Sequence, residues 1–407
     1  MQSVGAVRHE APESEAAAHG RARRLRLLLD ARKLGDGGIG VYIENLIAGL
    51  IESGEVELTA IVKPAAARTL AAQVAVIEDS ASSYSFDEMF RLARRIDFSN
   101  YDLFHEPHYT LPYGIPIPTV VTIHDLIHLQ FPEKPFIPYL AGFLIRSALR
   151  RADTVVTVSR ASQQKLAEFA RNKPAIVSKI SVVPNALDPY FLEGRSQGEA
   201  PHQRCCGKYF LSILSNLKPH KGVADLLDAF RRVREKLETQ AAQEKSGRQG
   251  KVFGDLKLVL LGEGTQSMVD REHLLDLAST VKGVKIVGRV SKEELRSWYR
   301  GAQALVVASR EEGFCLPVLE AQAVGIPVIS RPVAAVCDLL TSNDYRCEDF
   351  EVQSLADAMY SFLQNRPVPK LNEPNHAALS VHFTPYMRSN IARSILSVYR
   401  RTLSGPE

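Results

Sequence analysis

The stretch RLRLLLDARKLGDGGIGVYIENLIAGLIES (residues 24–53) decides the fold. Its first seven residues read as a buried strand. A Gly-rich turn carrying Gly35, Gly37, Gly38 and Gly40 follows, and then the helical stretch VYIENLIAGLIES, in which Tyr42, Leu46 and Leu50 recur four apart, as one helix face requires. Outward from this unit, ELTAIV (57–62), YDLFH (101–105), TVVTI (119–123) and DTVVTV (153–158) are short strands rich in β-branched residues. Helical patterns such as IPYLAGFLIRSALR (137–150) separate several of them. This alternation argues for an α/β chain with a parallel sheet and helices on both faces.

DPYFLEGRSQGEAPHQRCCG (188–207) breaks the rhythm, and the pattern restarts with KYFLSIL (208–214). A helix over GVADLLDAFRRVREKL, strands LKLVLL and VKIVG, a helix SKEELRSWYRG, strand ALVVAS, a helix from about Val318 and strand PVIS complete the second half. ETQAAQEKSGRQGK (238–251) reads as an exposed insertion. In the tail, Met387, Ile391, Ile395 and Tyr399 suit one packed helix face. The expected division is a disordered tail over 1–22, a first doubly wound domain over 23–190, a linker over 191–207, a second domain over 208–380 and a terminal helix over 381–407. Such sheets bind ligands at the carboxyl ends of their strands, and two facing crevices create a deep cleft.

Composition narrows the class. A chain of 407 residues can bury large cores without disulfides or metals. Fifty basic against 46 acidic side chains give a net charge of +4, which does not point to a nucleic-acid binder. The five cysteines, Cys205, Cys206, Cys315, Cys337 and Cys347, form no zinc-ligand spacing. The first twenty residues lack the apolar core of a signal peptide, and no apolar run is long enough to span a bilayer. A cytoplasmic place is expected by elimination.

Four constellations can carry chemistry. The glycine loop before residue 41 sits between strand and helix, where free amides attract an anion, although it forms neither a P-loop nor GxGxxG. His124-Asp125 follows a strand directly, and HEPHY (105–109) places Glu106 and His108 at the neighbouring strand end. An imidazole there can bond a sugar hydroxyl or stabilise developing charge. In SILSNLKPHKGVADLLDAF (212–230), Lys218, His220 and Lys221 crowd a loop that opens a helix. A lysine at a helix N-terminus opposes the macrodipole unless an anion is present. In ASREEGFCLPVLEAQAVGIPVIS (308–330), Glu312 and Glu320 flank Gly313, Phe314, Cys315, Leu316 and Pro317. The amides of that turn suit sugar or phosphate oxygens, and Glu320 suits a ribose diol.

At these residues the chain resembles the retaining glycosyltransferases of family 4. The likeness runs through GGIG, TIHDL, VTVS, VVPNALD, PHKG and EGFCLPVLE followed by A-x-A-x-G-x-P-V, and covers roughly residues 25 to 400. It implies a GT-B fold of two Rossmann-like domains, with a terminal helix crossing back onto the first. It implies transfer of a hexose, with retention, from a nucleoside diphosphate sugar (GDP-mannose or a UDP-hexose) to a glycan or lipid-linked acceptor. The form NLKPHK is similar to the bacterial mannosyl- and rhamnosyltransferase branch.

Under the resemblance, Glu312, His124 and Lys221 carry the catalysis: Glu312 contacts the donor sugar, Lys221 neutralises the diphosphate, and His124 lines the reaction centre. Glu320 holds the ribose, and Gly313, Phe314, Cys315, Leu316, Asn216, Lys218, Gly38 and Gly40 complete the donor site. Asp125, His108 and Glu106 face the acceptor. The family's usual Arg five residues before the Lys is Asn216 here, and Lys218 or His220 is the available substitute. Cys315 stands where Gly is frequent, which crowds the turn. No Asp-x-Asp occurs, so no metal and no cofactor are expected. An inactive nucleotide-sugar-binding scaffold and a GT-B sugar epimerase are the competing functions. FIPYLAGFLIRSALRR (136–151) is either a peripheral membrane contact on the inner face or a core-facing helix with snorkelling arginines, the latter being favoured.

Overall fold

The computed structural model describes residues 23–132, 134–193, 207–214, 216–243, 255–262, 268–365 and 381–405. The expected tail, most of the expected linker, Cys205 and Cys206 lie outside the described residues. Within them, Cys315, Cys337 and Cys347 are free thiols.

Two parallel sheets organise the chain. The first holds β1 (Leu25–Asp30), β2 (Val56–Val62), β3 (Ala75–Glu78), β4 (Leu103–Glu106), β5 (Thr119–Thr122), β6 (Thr154–Thr157) and β7 (Ile180–Val182) in the order β3-β2-β1-β4-β5-β6-β7. The second holds β8 (Tyr209–Ile213), β9 (Lys257–Leu261), β10 (Val284–Val287), β11 (Ala304–Val307), β12 (Val328–Ser330) and β13 (Tyr345–Arg346) in the order β10-β9-β8-β11-β12-β13. The strand order therefore reverses between β1 and β4 in one sheet and between β8 and β11 in the other. Each reversal opens a crevice at the carboxyl edge, because the two connections leave in opposite directions. The centres of both sheets are sealed by Leu27, Leu29, Val120, Val156, Leu211, Val259 and Leu305, all fully buried.

Several elements differ from the sequence reading. β3, β7 and β13 are strands of four residues or fewer that the alternation did not show, as is the helix Phe86–Arg95. They lie at sheet margins, where half-exposed residues blunt the apolar pattern. The first helix begins at Gly37, not after the glycines, and ends at Gly54, whose φ of 66° stops it. Gly40 allows this early start, since a Cβ there would lie 2.7 Å from the amide nitrogen of Gly35. The helix Val223–Gln243 continues six residues into the stretch read as an insertion. The helix after Cys315 starts at Leu316.

The terminal helix Arg388–Ser404 crosses back onto the first domain and packs on the helix Gly37–Ser53. Ile391, Ile395 and Tyr399 are buried as the tail pattern requires, whereas Met387 is exposed because it precedes the helix as its cap. Tyr399 donates or accepts at His105 Nδ1 over 2.7 Å, and the other ring nitrogen meets Thr122 Oγ1 at 2.8 Å. Thr402 meets Thr154 at 2.8 Å, and Arg388 bonds Glu52 at 2.7 Å. No helix among the described residues is long and apolar enough to cross a membrane.

The crossing depends on a close approach at Gly49, where a Cβ would sit 3.1 Å from both Ala392 Cβ and Arg388 Cγ. Gly49→Val is expected to lift the terminal helix. Amide hydrogen exchange across residues 388–404 should then rise at least about tenfold, while β8 stays protected. Unchanged exchange in that helix would show that the interface tolerates the added branch.

Candidate functional site

The second crevice assembles the site. β8 leads into Asn216–Gly222 and β11 leads into Ala308–Cys315, so the strand reversal sets these two loops side by side. Lys221 Nζ donates to Glu312 Oε1 at 2.7 Å, and Ser309 Oγ donates to the same oxygen at 2.6 Å. Burial pushes the Glu312 carboxyl up, but Lys221 and the Ser309 hydroxyl outweigh it and hold the group below the usual carboxylate range. Burial likewise pulls Lys221 down, and Glu312 more than reverses this. The pair is ionised and mostly withdrawn from solvent, Glu312 being buried and Lys221 partly so.

Lys221 is held by a lock behind it. Gly222 has φ of 62°, and a Cβ on it would lie 2.3 Å from the carbonyl oxygen of Ala308. Arg331, fully buried, donates through one nitrogen to that carbonyl at 3.0 Å and to Asp225 at 2.7 Å. Arg310 donates to Asp225 at 2.7 Å, and its amide donates to the His220 carbonyl at 2.7 Å. One carboxylate thus ties both loops together. Burial, with Lys221 next, lowers His220 to about 4, so its ring is neutral. Asn216 turns inward on its own loop and accepts from the Lys218 amide at 3.1 Å.

Cys315 has φ of 81°, a left-handed conformation that costs a non-glycine residue roughly 1–2 kcal/mol. The crowding expected from its side chain is therefore a backbone strain, and it stands immediately before the helix Leu316–Ala323. Phe314 is buried against Tyr386. Glu320, about one turn into that helix, accepts from Tyr299 at 2.8 Å. Desolvation pushes its carboxyl up to about 7.

The first domain meets this site directly. A Cβ on Gly313 would lie 2.8 Å from the His124 carbonyl oxygen and 3.2 Å from Asp125 Cβ. Ser162 donates to the His124 carbonyl at 2.9 Å and lies 3.3 Å from the Gly313 carbonyl, while Lys165 pairs with Glu311. His124 Nε2 lies 3.1 Å from the Pro107 carbonyl, which can only accept. We therefore assign the proton to Nε2, leaving Nδ1 as an acceptor. Burial lowers the His124 pKa despite Asp125, which keeps that lone pair free at neutral pH.

The structure does not bring every expected residue to the surface of the cleft. Glu106 and His108 are buried in the first domain. Glu106 lies in a carboxylate cluster with Asp30 and Glu88 around Arg32; burial and Asp30 push its carboxyl well up. His108 bonds Thr110 and Tyr84. Gly38 is exposed at the first helix start, and Gly40 packs inside that turn. Tyr299, Ser162, Asp225 and Arg331 are not legible in the sequence, since their partners lie far away along it, and Ser309, three residues before Glu312, carries no motif that marks it.

Comparison with known proteins agrees with this architecture. Residues 201–378 match the family described as glycosyl transferases group 1, and residues 36–191 match glycosyltransferase family 4. The chain belongs to the family 4 glycosyltransferases and has the GT-B fold. It is 24% identical to the O-antigen chain mannosyltransferase RfbU of Salmonella typhimurium over 64% of this chain and 64% of that protein. It is 25% identical to the O-antigen chain mannosyltransferase B of Escherichia coli over 66% of this chain and 67% of that one. Anabaena HepE, solved with UDP and glucose, superposes with a TM-score of 0.70 at 16% identity, covering 93% of this chain and all of that chain. That last likeness is one of fold.

Glu320 yields a test by pH. Its folded pKa of about 7 lies above the usual carboxylate value, so ionisation costs stability, fully so above the folded value and not at all below the unfolded one. Glu320→Gln should therefore melt higher than the native chain at pH 8, with the gap closing toward pH 4. A gap independent of pH would show that Glu320 is not held in this environment.

Proposed function

We propose that the chain is a retaining hexosyltransferase. It takes a nucleoside diphosphate sugar, GDP-mannose or a UDP-hexose, and passes the hexose to a glycan or lipid-linked acceptor. The observation that carries this reading is the ionised Lys221–Glu312 pair at the second sheet's crevice, next to His124 and Asp125 of the first domain. The mannosyltransferase relatives and the binding of UDP and glucose by HepE support it.

In this reading the donor lies along the second domain. Glu320 accepts from the ribose hydroxyls. The turn amides from Gly313 to Leu316, with Phe314 and Cys315 shaping their path, face the sugar and phosphates. As the anomeric C–O bond breaks, negative charge gathers on the diphosphate and positive charge on the sugar. Lys221 meets the first, supported by Lys218 and the neutral His220, and Glu312 meets the second. Asn216 supplies no charge here and serves to shape the loop. His124 offers Nδ1 to a sugar hydroxyl, Asp125 meets the acceptor, and the exposed Gly38 leaves its amide open to a phosphate or acceptor oxygen. Gly40 acts by fixing that turn.

No metal is assigned to the reaction, and the fixed cations and helix-end amides carry the leaving-group charge instead. Glu312→Gln should lower turnover about 10²–10³-fold, which is on the order of 2.7–4 kcal/mol of transition-state stabilisation, with the fold intact. Retention of more than about a tenth of native turnover, measured as nucleotide release in the presence of acceptor, would remove the role given to Glu312. Activity in excess EDTA should equal that without it. A loss under chelation that Mg or Mn restores would show that a metal replaces the Arg absent at position 216.

A further inference from the structure

The helix Ile137–Arg151 has one face packed in the core and one face in solvent. One face, with Ala141, Leu144, Ile145, Ala148 and Leu149, is buried in the first domain. The opposite face leaves large apolar side chains in solvent: Phe136 is 59% exposed, Tyr139 81%, Leu140 44% and Phe143 59%. Their spacing of three and four residues puts them on one stripe. Lys134, Arg146 and Arg150 are exposed around that stripe, and the helix contains no Asp or Glu.

We propose that this strip docks the protein on an anionic membrane surface. Aromatic side chains with a basic fringe match the boundary between lipid head groups and acyl chains, where the rings enter and the cations stay with phosphate. The charge pattern disfavours a second copy, because a two-fold contact sets the patch against itself and brings its cations together. The platform is rigid. Arg151 donates to the Pro112 carbonyl at 2.7 Å and lies 3.8 Å over the Tyr113 ring, while Arg146 lies 4.8 Å over Phe169. Leu129, on the short helix that follows His124 and Asp125, packs at Gly142. The strip is thus one helix away from the residues assigned to the acceptor. Its purpose, delivering a membrane-held acceptor, rests on the function proposed above.

Flotation of the full chain with vesicles of phosphatidylglycerol and phosphatidylcholine tests the surface independently of transfer. The native chain should float with the mixed vesicles and less with phosphatidylcholine alone. Phe136→Ser/Tyr139→Ser/Phe143→Ser should reduce the bound fraction at least about tenfold, and Arg146→Gln/Arg150→Gln should remove the preference for anionic lipid. Light scattering should give the same mass for all three proteins. Equal flotation of native and triple-serine chains would overturn the proposal, as would a dimer that the triple variant splits without a loss of vesicle binding. Flotation without sugar transfer would leave this surface standing and overturn the function. Transfer without flotation would do the reverse.

Discussion

A half-buried lysine and a buried glutamate, 91 positions apart in the chain, meet at 2.7 Å because β8 and β11 are neighbours. That adjacency is the constraint from which the site follows. In a parallel sheet each strand delivers its loop to the same edge, and a reversal of strand order parts the two connections and leaves their loops facing one space. Burial disfavours the charged form of each, and the partner offsets it. Together, with Ser309 supplying another bond, they hold each other in the charged form at the cleft wall.

The backbone around this pair leaves little freedom. Gly222 sits where any side chain would strike the Ala308 carbonyl, and Gly313 where one would strike His124. The first closeness fixes the lysine loop to the glutamate loop, and the second seats one domain on the other. Arg331 and Arg310 share Asp225 between them and so tie the two loops together. Cys315 shows what such closeness demands: it holds a left-handed backbone that glycine adopts with less strain.

The two domains are joined at a second place by the terminal helix. It follows the second sheet in the chain yet packs on the first domain's opening helix and bonds His105 deep in the first sheet. His105 therefore belongs to packing, although it stands at a strand end beside residues read as functional. Its ring is neutral, burial having pushed it down to about 3, and both nitrogens are spent on hydroxyls.

The alternation of apolar runs and amphipathic helices was sufficient for the class of fold, because a parallel strand and its crossover helix each leave a local periodic trace. The motif loops were legible for the same reason: glycines, a helix-opening lysine and two glutamates eight apart are short-range patterns. Tertiary structure decided what lies between distant segments. It put Lys221 on the glutamate oxygen that Ser309 already bonds locally, gave Glu320 its tyrosine, and set Gly313 against His124. It buried Glu106 and His108, since a strand end looks the same in sequence whether its side chains reach solvent or are covered. It also divided the helix at 137–151 into a buried face and an exposed one. Sequence periodicity specifies that both faces exist, but only packing determines which of them finds a partner inside the chain.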